Sequence, residues 1–322
     1  MPHLLHLITA RVTPGRRAGA TAGSAQPEAT AIGGSALTGQ PLAVLLADQV
    51  VTRLGTDLDA GVRLRLRDHP ALDALADALA LARLVHEADQ GMRRLDSAYA
   101  DLLALSAGRG GGRAAGRAAE LAHGRLLDQA RGRAFTSALD LAGTLTEARV
   151  LARGLARSDD PGLRRAADLA ALLDRAANHA LDLGRDHPRR GGAATARRLA
   201  RGVARAGGEA FAILQVAVTG VAAVAGFELD PGASRDLAHA DDSDPLARLA
   251  EAGAALDAAR TDFSHADLSD VDLSEVDLRG VVWSAQTAWP AEWAEWLRRA
   301  SAEIAPGLFE VPRDGRPGNP AR

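Results

Sequence analysis

The chain has 322 residues, 72 of them Ala; every one of its 38 Lys-or-Arg residues is Arg, and neither Lys nor Cys occurs. Without Cys there is no disulfide framework, no Cys-based zinc site and no thiol nucleophile, and without Lys no G-x4-G-K-[ST] phosphate loop. The formal net charge of −3 is a cancellation between +8 over residues 1–208 and −11 over residues 209–322.

Aromatic residues make up 3% of the chain, so a core must be assembled from Leu, Ala and Val, which pack closely between helices. Residues 1–40 are rich in Gly, Ala, Ser, Thr and Pro with little periodicity, and read as a mostly disordered leader. Their apolar stretch, MPHLLHLITARV, is too short and too broken for a signal peptide or a span, and no basic segment precedes it.

From Pro41 the pattern becomes helical. Leu42, Leu45, Leu46, Val50 and Leu54 recur at helical spacing before Gly55. A longer helix is predicted from Pro70, with Leu72, Leu75, Leu79, Ala82, Met92, Leu95, Tyr99, Leu102 and Leu103 as its buried stripe. Glycines through Gly112 end it, because consecutive glycines lose too much backbone entropy in a helix. A third helical run covers about 113–157. A fourth opens with Asp160 as N-cap and Pro161 at the first position, and buries Leu163, Ala166, Leu169, Ala170, Leu173, Ala176, Ala177 and Ala180. Long helices joined by short glycine-rich loops predict helical hairpins or a bundle over 41–227.

Two features at the end of that bundle carry functional alternatives. Arg197, Arg201 and Arg205 share one helical face, with Arg198 beside them and Arg190 just upstream. Such a set is a candidate anion-binding face for nucleic acid or anionic lipid, or a match for the acidic second half of the chain. Residues 210–227 then run uncharged for 18 residues, the minimum for a membrane span. Gln215, Thr219 and the abundance of Ala, Val and Gly favour a buried core helix instead.

An acidic linker with a short helix is expected over 228–260. Residues 261–285 then divide into fives: TDFSH, ADLSD, VDLSE, VDLRG, VVWSA. The centres are Phe263, Leu268, Leu273, Leu278 and Trp283; Thr261, Ala266, Val271, Val276 and Val281 lie two residues before them. Asp262, Asp267, Asp272 and Asp277 fall between. A period of five would sweep apolar residues around a helix axis, so this run is not helical.

The run resembles the pentapeptide-repeat family, and the resemblance implies a right-handed quadrilateral β-helix with one pentapeptide per side. In that fold the centre residue and the small residue before it point inward, and the intervening Asp faces out or caps a turn. Four sides make one coil, so the segment supplies little more than one. Family members that mimic duplex DNA stack many coils, so that activity is not implied for this chain. Val271 and Val276 stand where Ala is commoner.

Six of the ten aromatic residues lie between 263 and 309. After Trp283 come Trp289-Pro290, Trp293 and Trp296; Pro290 starts a predicted helix, and Pro306-Gly307 turns into a short LFEV strand. The Trp cluster is expected to cap the open end of the coil. The combination of repeat, W-S-x2-T-x-W-P, helix and P-G-x-F resembles the C-terminal region of uncharacterised actinobacterial proteins. Residues 261–311 thus read as repeat coil plus Trp cap, with a disordered tail over 312–322.

No H-E-x-x-H and no compact His/carboxylate trio occurs, and no Ser sits in a nucleophile elbow. The expectation is a mainly α, non-enzymatic protein without cofactor or metal, cytoplasmic, interacting with another protein in a bacterial regulatory or conflict system. Its candidate docking surface comprises Asp262, Asp267, Asp272, Asp277, Trp289, Trp293 and Trp296. The alternatives are a membrane-associated protein held by 210–227 and its Arg flank, and nucleic-acid binding through the Arg face at 189–205.

Overall fold

The structure is a computed structural model, and it describes residues 40–107, 117–185, 192–230 and 244–313. The leader, the tail from residue 314 and Arg190 lie outside the described residues. The fold is mainly helical with one small C-terminal sheet. In chain order the helices are α1 (Gln40–Thr56), α2 (Ala60–Leu66), α3 (Pro70–Ala107), α4 (Arg117–Leu155), α5 (Arg165–Arg185), α6 (Gly192–Ala225), α7 (Pro245–Thr261) and α8 (Ala291–Ala300). A 3-10 turn, Pro161–Arg164, leads into α5.

Helices α3, α4, α5 and α6 each pack on the next, and α6 returns to α3, closing a ring of four. Helix α1 lies against α6 and α7, and α7 also touches α3. At 38 residues α3 is about 57 Å long, so each of its neighbours finds several turns of Leu and Ala to pack on. The helix starts are fixed by short Asp caps. Asp160 Oδ1 accepts from Gly162 N–H at 2.7 Å, and Asp244 Oδ1 accepts from Leu246 N–H at 3.1 Å, each with Pro at the next position.

The predicted inner face is buried along its whole length, from Leu163 in the 3-10 turn and Ala166 at the start of α5 through Leu173 to Ala180. The stripe of α3 is buried from Leu72 to Leu102, but Leu103 is 48% exposed. Leu102 and Leu103 are about 100° apart around the helix, so only one of them faces α4.

Helix α6 is long and apolar enough to cross a membrane. It is also a main wall of the core. Phe211, Ile213, Leu214, Val218 and Val221 are buried in the largest hydrophobic cluster, while Gln215 and Thr219 lie on the exposed edge. Residues Leu249, Ala252, Leu256 and Ala259 of α7 belong to the same cluster.

The C-terminal sheet has strands β1 (Val282–Ser284), β2 (Ala302–Ala305) and β3 (Leu308–Glu310) in the order β1-β3-β2, antiparallel throughout. Trp283 pairs with Phe309 across β1 and β3, and their rings stack at 4.7 Å. Between Glu303 and Ala305 the pairing of β2 with β3 shifts by a bulge.

Candidate functional site at the C-terminal module

Residues 262–282 make four successive reverse turns. In each, the carbonyl of a centre residue accepts from the N–H three residues on: Phe263 from Ala266, Leu268 from Val271, Leu273 from Val276 and Leu278 from Val281, at 3.0–3.3 Å. After the fourth turn the chain lies beside its own start. Asp262 and Val282 form a parallel bridge, and Phe263 N–H donates to Val282 O at 2.8 Å. A second parallel bridge joins Asp267 to Ala288.

The centres Phe263, Leu268, Leu273, Leu278 and Trp283 are all buried, and Ala266, Val271 and Val276 pack half-buried against them. A five-residue repeat that turns once per repeat brings every centre to the same interior, whatever the residue type between. That is why a sequence without helical or strand periodicity still has a core.

Each repeat Asp serves its own turn. Asp262 Oδ1 accepts from Ser264 N–H at 2.9 Å and from its hydroxyl at 2.6 Å, and Asp267 does the same with Ser269 at 3.1 and 2.7 Å. Asp272 accepts from Ser274 N–H at 3.0 Å; Asp277 accepts from Arg279 N–H at 3.0 Å and from its Nε at 2.8 Å. These are Asx turns, in which the side chain replaces a backbone acceptor. The side-chain hydrogen bond from Ser269, then its N–H, holds Asp267 below the ordinary carboxylate value; for Asp272 the Ser274 N–H comes first. Asp277 is lowered chiefly by the Arg279 hydrogen bond. Asp262, Asp267 and Asp272 are exposed and Asp277 is half-buried.

The polar residues of W-S-x2-T-x-W-P tie the segment after the repeat to the first repeat turn. Thr287 Oγ1 donates to Phe263 O at 2.8 Å and accepts from Ser284 N–H at 3.0 Å, while Ser284 Oγ donates to Ser264 O. Trp289 and Trp293 are buried in the module's hydrophobic cluster, and Trp296 is half-buried, edge-on to Trp293. Trp283 Nε1 donates to Ser301 Oγ at 2.8 Å.

Helix α2, some 200 residues upstream, belongs to the same cluster. Leu64 is 1% exposed and packs with the repeat centres. Arg63 lies over the Phe263 ring at 4.5 Å and donates to Asp262 O at 2.9 Å. Gly61 faces Val271 so closely that a β-carbon there would sit 2.6 Å from Val271 Cγ2. Sequence reasoning missed this element. Its seven residues, AGVRLRL, carry no helical stripe, and the signal that remains is the Asp59 cap, whose Oδ1 accepts from Gly61 N–H at 2.9 Å.

Beside α2 a cleft of about 430 Å³ is lined by Arg67, Asp68, Asp257, Arg260, Thr261, Asp277, Arg279, Gly280 and Arg313. Gly280 has φ +75°, a left-handed conformation that lets the chain turn under Arg313. Arg67 has a side chain only 11% exposed. Its Nη2 donates to Arg279 O and its Nε sits 3.4 Å from Asp68, but its Nη1 is buried without a partner among the described residues. Burial pushes Arg67 below the ordinary arginine value; Asp68 and Asp277 oppose that, and Arg260 and Arg313 add to it. Arg260 donates from Nε to Arg67 O at 3.1 Å and from Nη2 to Asp73 at 2.6 Å.

Arg197, Arg198, Arg201 and Arg205 are exposed on α6, and none joins an ion pair among the described residues. No group of three or more His, Asp or Glu suited to a metal ion occurs among the described residues.

In comparisons with known proteins, the family described as pentapeptide repeats (8 copies) matches residues 256–282, so the chain contains a short pentapeptide-repeat segment. No curated protein and no solved structure matches the chain.

Proposed function

We propose that this chain is a non-enzymatic protein-interaction or regulatory protein of the bacterial cytoplasm, in which a helical body carries one coil of a quadrilateral β-helix. The helix α2 closes one open end of that coil, and residues 281–297 with their Trp side chains close the other. The support for two closures is that α2 reaches Asp262, Phe263, Val271 and Arg279 through its own residues and Arg67, whereas Val282 and Ala288 bridge to Asp262 and Asp267. A single coil has too few neighbours to cover its own ends, so both closures are needed for it to stand.

With its ends covered, the coil offers its sides. The observation that carries the interaction reading is the line Asp262, Asp267, Asp272: each holds one carboxylate oxygen in its own turn and leaves the other exposed and without a hydrogen bond among the described residues. The turns fix these charges on backbone, so little side-chain entropy is lost on docking, and a basic protein surface is the complementary partner. Pentapeptide-repeat segments are typically protein-interaction modules, which agrees with this reading.

The triple substitution Asp262→Asn, Asp267→Asn, Asp272→Asn tests it, because Asn keeps the turn acceptor and removes only the charge. A partner captured by the native chain should be lost by the triple variant while the Trp fluorescence spectrum is unchanged. Equal capture by both chains would refute docking through this edge.

A further inference from the structure

We propose that α4 pairs with the α4 helix of a second copy of this chain, antiparallel and about a two-fold axis level with Leu141, through an exposed seam of uncharged residues. This is separate from the interaction reading, which uses a different face and different residues.

Among the described residues nine large apolar side chains are left exposed, and five of them lie on α4. That helix packs on α3 and α5 and buries Ala134, Ala138, Leu141, Leu145 and Ala148 in the core. On its opposite side Gly132, Thr136, Leu139, Gly143, Thr146 and Val150 are all exposed. Their spacing of four, three, four, three, four keeps them within about 40° of one line for about 27 Å along the helix. None of the six is charged, whereas the solvent face of a surface helix is ordinarily charged or polar. A β-carbon added at Gly132 or Gly143 would meet nothing within 4 Å, so no described residue covers the seam.

The order of side chains along the seam selects a second copy as its cover. Positions 132 and 150, 136 and 146, and 139 and 143 are each centred on residue 141. Reversing the helix therefore lays Val150 on the second copy's Gly132, Leu139 on its Gly143 and Thr136 on its Thr146. Each large apolar side chain meets a glycine, and the two-fold repeats every contact. Parallel pairing would set Gly on Gly and leave voids. Thr146 already donates its hydroxyl to Ala142 O at 2.8 Å, so it brings no unpaired donor to the contact. Charge agrees with the same alignment: Glu147 comes beside the second copy's Arg133, and Arg153 beside its Asp128. Glu147 and Arg153 join no ion pair among the described residues, and Arg133 and Asp128 hold only exposed ones, with Asp101 at 3.8 Å and Arg131 at 3.2 Å. Asp140 approaches its own copy beside the axis, and a seam one helix wide falls short of the roughly 800 Å² per partner of a standard interface. Both keep the association weak and concentration-dependent.

Sedimentation of the full chain at concentrations from about 1 to 500 μM tests the proposal. A reversible monomer–dimer equilibrium is expected, weakened about tenfold or more in Gly143→Leu, because the new side chain meets Leu139 at both symmetric contacts. Leucine is the better helix former and the site is exposed, so Gly143→Leu should keep native helical circular dichroism. The double variant Leu139→Gly, Gly143→Leu leaves the helix composition unchanged and puts leucine back on glycine across the two-fold. It should dimerise within about threefold of the native chain. A native chain that stays monomeric throughout would leave the seam to some other partner and overturn the proposal. A dimer undiminished in Gly143→Leu, or no recovery in the double variant, would overturn it equally.

Discussion

At the scale of single residues, the repeat Asp side chains do structural work before any other. Each replaces a backbone acceptor in its turn, and the bonded form is the charged one. Asp267, Asp272 and Asp277 are therefore held below the ordinary carboxylate value of about 3.9. A carboxylate lowered on folding contributes stability above its unfolded value and loses it as pH falls through the lowered one. The module should accordingly keep full stability from neutrality down to about pH 4 and lose it progressively below that. Trp fluorescence melting at stepped pH checks this; a midpoint that falls equally between pH 7 and 5 would contradict it. In the same assay Asp267→Ala should lower the midpoint more than Asp267→Asn, since only Asn retains an oxygen for the Ser269 N–H.

At the scale of elements, the long helices were legible in the sequence and α2 was not. The α5 face could be read because Leu163 through Ala180 repeat at helical spacing over about five turns, and all are buried against helices close in the chain. Residues 60–66 are too short to show a period, and what they pack on is the repeat segment that begins near residue 262. Leu103 illustrates the opposite failure: an apolar residue at the margin of a stripe is assigned inward by spacing, although only packing decides it. The roles of Ser284 and Thr287 were hidden likewise, because their partners are carbonyls twenty or more residues earlier. A test at this scale is Gly61→Ala. Ala is the better helix former by about 0.8–1.0 kcal/mol, but its methyl would meet Val271 Cγ2 at 2.6 Å. Overpacking should win, lowering stability by about 1–3 kcal/mol as read from the Trp transition. Stabilisation by this substitution would mean that α2 does not press on the repeat.

At the scale of the whole molecule, the charge split of the sequence resolves into local pairings rather than two opposed halves. Arg63 and Arg67, from the basic half, are spent on backbone carbonyls of the acidic repeat segment. Helix α6 shows the same economy: its most apolar residues form the core wall, and its polar edge of Gln215 and Thr219 is exposed. Crossing a bilayer would strip Phe211, Leu214 and Val218 from α1, α3 and α5. The native chain should therefore be recovered from cell membranes by a salt wash alone; a fraction that needs detergent would contradict this.

Helix α2, near the first of the described residues, and the repeat near the last of them share one core. All four Trp residues lie between 283 and 296, so Trp fluorescence reports the C-terminal module and nothing of α2 directly. Leu64→Ala, placed about 220 residues upstream of the nearest Trp, is the cleanest probe. Equilibrium unfolding followed by Trp fluorescence should show the module weakened by about 2–5 kcal/mol, the usual cost of emptying a buried Leu site. An unchanged Trp transition in a variant whose helical circular dichroism is native would contradict the shared core.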